Sequence, residues 1–78
     1  MAEQKIKQDD KRIGNNIRRI RKECKIGQTE LVREIDLLGV SMTREALVKI
    51  ERGIQHITAT QLRAIRDVLN TTYNELLK

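Results

Sequence analysis

The chain has 78 residues, with 16 lysines and arginines against 11 acidic residues, for a formal charge of +5. That length makes one domain, which buries only about 60 to 65% of the surface its unfolded form exposes and leaves little room for an enclosed active site. A single cysteine excludes an internal disulfide, no cluster of cysteine and histidine offers a metal cage, and no apolar run approaches the roughly 20 residues that span a bilayer.

Proline is absent and Tyr73 is the only aromatic residue, so the core must come from Ile, Leu, Val and Ala. This composition predicts an all-α fold, a compact bundle of five helices. The polar start MAEQKIKQDDKR is not a signal peptide, which together with the lone cysteine points to the cytoplasm. The positive charge points to a polyanionic partner. It is unevenly placed: residues 1 to 25 hold nine basic and four acidic side chains, and residues 26 to 53 hold four basic and five acidic.

Residues 1 to 8 are polar and uncapped and are expected to be frayed, leaving 9 to 78 as the folded domain. Lys5 and Lys7 either form an arm that follows phosphates or belong to plain disorder. Asp9 or Asp10 can cap a first helix running to about Lys25. Ile13, Ile17, Ile20 and Cys24 fall on one stripe at helical spacing, which predicts a core face with Cys24 as a small buried residue. Arg18, Arg19, Lys22 and Lys25 occupy its other sides. With no bulky aromatic residue to insert, this basic face is not read as a membrane helix.

Gly27 can start a second helix, Gln28 to about Leu38, with Leu31, Val32, Ile35 and Leu38 as its buried stripe. A turn follows through Gly39, Val40, Ser41 and Met42. Thr43 is a good cap and Gly53 a good stop, so a third helix is predicted from Arg44 to about Arg52. On a wheel of roughly 100° per residue, Ala46, Leu47, Ile50 and Ile54 share one side. Arg44, Glu45, Val48, Lys49 and Arg52 share the other. An apolar Val48 at the centre of a charged arc hints at a contact surface, although a merely solvated face is the competing reading. Ile54 to Ile57 reads as a loop. Thr58 with Gln61 and Thr72 with Glu75 each fit a capping box. A fourth helix carries Leu62, Ile65, Val68 and Leu69 inward. A short fifth places Tyr73, Leu76 and Leu77 either in the core or in a dimer patch.

The run GVSMTREALVKIERG, with GQTELV and RRIRKE upstream, resembles the helix-turn-helix of the phage repressor and Cro family of transcription regulators, of xenobiotic-response-element-like type. The likeness covers Ile13 to Leu77, and its most specific piece is Ile50-Glu51-Arg52-Gly53 after a capped helix. The stretch from Gln28 to Gly53 is about five residues longer than the usual arrangement, as in members with a lengthened Leu-Leu-Gly turn. That length puts the angle between the two helices in question.

The resemblance implies a DNA-binding domain whose third helix lies in the major groove. Arg44 can donate twice to guanine, Glu45 can accept from cytosine, Lys49 can reach guanine or a phosphate, and Val48 can pack on a thymine methyl. Gln28, Thr43 and Arg52, with Thr29, Gln55 and His56 behind them, are the expected phosphate contacts. In the family an arginine and a glutamate at Arg21 and Glu51 form an ion pair joining the first helix to the third. Two separate surface charges are the alternative. One such module reads few base pairs, so a homodimer on an inverted-repeat operator in double-stranded DNA is expected, acting as a repressor. The chain shows no separate effector domain, and no cofactor, metal or catalytic residue is assigned. The second reading is a protein-interaction module on the same fold, resembling an antitoxin, for which the Tyr73 to Leu77 patch matters more than Arg44. An enzyme is disfavoured by the lack of paired carboxylates, an activated nucleophile or a phosphate-binding glycine loop.

Overall fold

The computed structural model describes residues 5–6 and 11–78. Five helices carry the fold: α1 Arg12–Glu23, α2 Gln28–Leu37, α3 Arg44–Glu51, α4 Ala59–Leu69 and α5 Tyr73–Leu77. Two strands of two residues each, β1 Lys5–Ile6 and β2 Ile57–Thr58, pair antiparallel with Lys5 opposite Thr58 and Ile6 opposite Ile57. Helix α1 packs on α3 and α5, while α2 packs on α3 and α4. The all-α expectation is met, with this small sheet as the addition.

The chain's stop signals explain the compactness. Gly39 and Gly53 take positive φ of 81° and 78°, and Lys25 and Asn70 take 59° and 52°. After each, a backbone N–H turns back onto the preceding helix: Ile26 to Arg21, Val40 to Ile35, Ile54 to Lys49 and Thr71 to Arg66. These left-handed caps satisfy carbonyls that the helix ends would otherwise leave unpaired. The starts of α3, α4 and α5 are set by hydroxyls. Thr43, Thr58 and Thr72 accept from the N–H groups of Ala46, Gln61 and Glu75. Gln61 returns the bond to the Thr58 backbone at 3.1 Å, completing that capping box. Gln61 also donates to the Ser41 carbonyl, tying α4 to the turn before α3.

The core holds the apolar stripes read from periodicity: Ile13, Ile17 and Ile20 of α1, Leu31 and Ile35 of α2, Leu47 and Ile50 of α3, Leu62, Ile65 and Leu69 of α4, and Leu76 of α5. Met42, Ile57 and Ala64 join it without having been assigned there. Val32 and Val68 are half-buried.

Three apolar assignments are corrected. Leu38 is 54% exposed because α2 stops at Leu37 and Gly39 turns the chain away. Ile54 is 58% exposed because the helical wheel does not continue through the positive φ of Gly53. Cys24 is exposed, being the C-cap just past the last helical residue, with its thiol 3.7 Å from the Leu69 carbonyl.

The N-terminal end differs too. Helix α1 begins at Arg12 with Lys11 as N-cap at φ 63° and no side-chain cap. Asp9 and Asp10, the expected caps, lie outside the described residues, as do Lys7 and most of the segment expected to be frayed. Within that segment Lys5 and Ile6 are paired to β2 rather than frayed. A two-residue strand is too short to show any periodicity in sequence.

Candidate nucleic-acid interface

The interface is built from the α1–α3 contact upward. Gly14 is buried on α1, and a Cβ added there would fall onto the carbonyl oxygens of Ile50 and Glu51. Only glycine lets the two backbones approach so closely. That approach seats Arg21 against Glu51: the guanidinium Nε donates to Oε2 at 2.7 Å and Nη2 to Oε1 at 2.9 Å. Both residues are buried, 7% and 4% exposed. The third guanidinium branch, Nη1, donates to the Ile26 carbonyl at 2.9 Å. Gln28 Nε2 donates to Glu51 Oε1 at 3.1 Å, so α1, α2 and α3 meet in one polar knot.

With Leu47 and Ile50 buried and Glu51 locked, the rotation of α3 is fixed. Arg44, Glu45, Lys49 and Arg52 are then exposed, with Val48 half-buried between them. Thr43 Oγ1 accepts from Ala46 at 3.0 Å and holds the start of the helix. Glu45 lies in the first turn, where a carboxylate also complements the positive end of the helix dipole.

The remaining expected phosphate contacts are dispersed. Thr29 and His56 are exposed, whereas Gln28 and Gln55 are half-buried. Gln28 spends one N–H on Glu51, and its amide has a second N–H to offer. Val48 and Glu51 line an open cleft of about 360 Å³ together with Lys11, Asn15, Arg18, Gln28 and Arg52.

Sequence reasoning missed Gly14. The signal was present: Gly14 stands at i, i+3 and i+7 with Ile17 and Arg21, on the inward side, and a glycine within a helix costs about 1 kcal/mol relative to alanine unless something requires it. It also missed the convergence of α1 side chains on Val48, which depends on the α1–α3 packing and is invisible along a single helix.

At the other end of the molecule Arg66 lies over the Tyr73 ring, 4.6 Å from its centre, and pairs with Asp67. Leu76 takes the core, while Tyr73 and Leu77 remain 38% and 44% exposed. The core and the surface patch thus divide the fifth helix between them. No helix among the described residues is long and apolar enough to cross a membrane.

A family model described as helix-turn-helix matches residues 17–76, more than half of the chain and all of α2, α3 and α4. Neither the curated proteins nor the solved structures compared with it gave a match. The matched span, together with two helices joined across Gly39 and an exposed, capped α3, shows that the chain belongs to the helix-turn-helix family of the Cro/C1 type, a family of DNA-binding regulators.

Proposed function

We infer that the protein is a sequence-specific regulator of transcription, a repressor that reads the major groove of double-stranded DNA with α3. The observation that supports this most is the one-sided exposure of α3: its inward residues are locked by Arg21, Glu51 and Gln28, and its outward arc carries Arg44, Glu45 and Lys49. Arg44 is assigned to guanine, Glu45 to cytosine, Lys49 to guanine or a phosphate, and Val48 to a thymine methyl. Gln28, Thr29, Thr43, Arg52, Gln55 and His56 are assigned to phosphates, which set register and carry no sequence information directly. Repression follows from occupancy of the groove at a promoter.

A single module of this size reads few base pairs, so two copies are assigned to an inverted repeat with half-sites about one helical turn apart. The six residues 38–43 between α2 and α3 support membership of the lengthened-turn, xenobiotic-response-element-like branch. The place of action is the cytoplasm.

Selection of random duplex DNA on the purified protein, read at two salt concentrations, tests this reading. An enriched inverted repeat is expected. Enrichment without any shared sequence would overturn it.

A second reading, a protein-interaction module, is favoured by a separate observation. Ile6, Ala59, Leu62, Tyr73 and Leu77 line an almost wholly apolar depression away from α3. Under that reading, Tyr73→Ser would abolish the biological effect and Arg44→Ala would not.

A further inference from the structure

We propose that Lys11 at the N-cap of α1 and Asn15 and Arg18 within it, closing with Arg52 on the cleft beside Val48, form a clamp for a backbone phosphodiester of duplex DNA. The proposal rests on the reading of α3 as the groove helix and adds α1 to the binding surface.

Asn15 and Arg18 stand at i and i+3 on the face of α1 that Ile13, Ile17 and Ile20 do not use, and Lys11, the N-cap before the first helical residue, lines the same cleft. These three residues are held beside α3 at two points. Gly14 packs on the Ile50 and Glu51 carbonyls, and the Lys11 stem passes over Gly53, where a Cβ would collide with it. Three cations therefore converge on one open cleft with the Asn15 and Gln28 amides.

Among the described residues the only carboxylate lining that cleft is Glu51, whose oxygens already accept from Arg21 twice and from Gln28. Its charge is offset, so the cleft presents a net positive field. Several of the cations elsewhere are paired with carboxylates within the fold. Arg19 pairs with Glu23 and Glu75, Arg66 with Asp67, and Lys78 with Glu75. Lys11, Arg18 and Arg52 form no ion pair with another described residue.

The ligand class follows from the chemistry. A singly charged, tetrahedral oxyanion suits several convergent N–H donors without a competing acceptor. The position follows from the packing: with α3 in the groove, the element braced against its C-terminal end lies over the strand that walls the groove. The clamp supplies affinity and register, and α3 supplies sequence preference.

The test compares wild type, Arg18→Gln and Lys11→Gln/Arg18→Gln on a selected duplex and on a scrambled one across a salt series. The proposal predicts weaker binding to both duplexes alike, with the salt slope flattened by about 0.9 for each phosphate that the variant no longer neutralises. The bases preferred in selection stay the same. Arg18→Gln lies mid-helix and keeps the test decisive if Lys11→Gln disturbs the N-terminal end, and thermal unfolding reports that disturbance.

An unchanged slope and affinity in Arg18→Gln and in the folded double variant overturns the clamp. If Arg44→Ala still loses sequence preference in that case, the reading of α3 survives it. If wild type shows no sequence preference but the variants still flatten the slope, the clamp stands and the reading of α3 falls.

Discussion

Arg21 and Glu51, thirty residues apart in the chain, face each other as a bidentate pair inside the protein, with Nε–Oε2 at 2.7 Å and Nη2–Oε1 at 2.9 Å. The pair joins the basic first helix to the helix that carries the exposed arc. Removing one partner leaves a buried charge with no counter-ion, so Glu51→Ala is expected to cost roughly 3 to 5 kcal/mol in denaturant unfolding. The double variant Arg21→Met/Glu51→Leu is expected to recover part of that loss, because apolar residues of similar volume remove the unpaired charge while the Ile26 carbonyl and the Gln28 amide still lose their partners. Equal melting of Glu51→Ala and wild type would show that the pair does no structural work.

Gly14 carries a prediction that runs against helix propensity. Alanine is favoured over glycine within a helix by about 1 kcal/mol. At Gly14 the added methyl meets the Ile50 and Glu51 carbonyls, and such overpacking costs about 1 to 3 kcal/mol. Gly14→Ala should therefore unfold at lower denaturant than wild type. Gly27, with nothing within 4 Å of an added Cβ and an ordinary extended backbone, is the control. Gly27→Ser should be neutral or better by a few tenths of a kcal/mol, since serine is at least as good an N-cap as glycine.

Thr43 supplies the side-chain cap of α3, accepting from Ala46 at 3.0 Å. Thr43→Ala should lower stability by about 1 kcal/mol, and Thr43→Ser should restore it. Amide exchange in the first turn of α3 should quicken in Thr43→Ala. If exchange there is unaltered, the cap does not hold the start of that helix.

Cys24 gives a direct chemical check on the corrected stripe. Its exposure predicts that iodoacetamide modifies the native protein under conditions where folding is intact. A thiol that reacts only after denaturant is added would restore the buried assignment.

The sequence carried the helices well because each depends on neighbours in the chain. Apolar spacing marked Ile13, Ile17, Leu31, Ile35, Leu47 and Ile50, while Thr43 and Thr58 marked the starts of α3 and α4 and Gly53 the end of α3. What escaped depends on partners remote in sequence. Ile57 reads as loop, but it is fully buried in the strand beside Ile6. Leu38, Ile54 and Cys24 satisfy a helical wheel on paper, and each stands at a helix end or past it, where the wheel stops.

The candidate site divides in the same way. The outward arc of α3 could be read from one helix alone. The arginine and glutamate of the buried pair were identified only through resemblance. Lys11, Asn15 and Arg18 gain meaning only when α1 is laid beside α3, and the sequence does not state that crossing.

The central claim is that α3 reads bases, and titration of Arg44→Ala against a selected operator and its single-base variants tests it most directly. Wild type should lose about 1 to 3 kcal/mol on one base change in each half-site, and Arg44→Ala should bind the original and changed sites equally. If Arg44→Ala keeps the full discrimination of wild type, the bases are read elsewhere and the assignment of α3 is wrong.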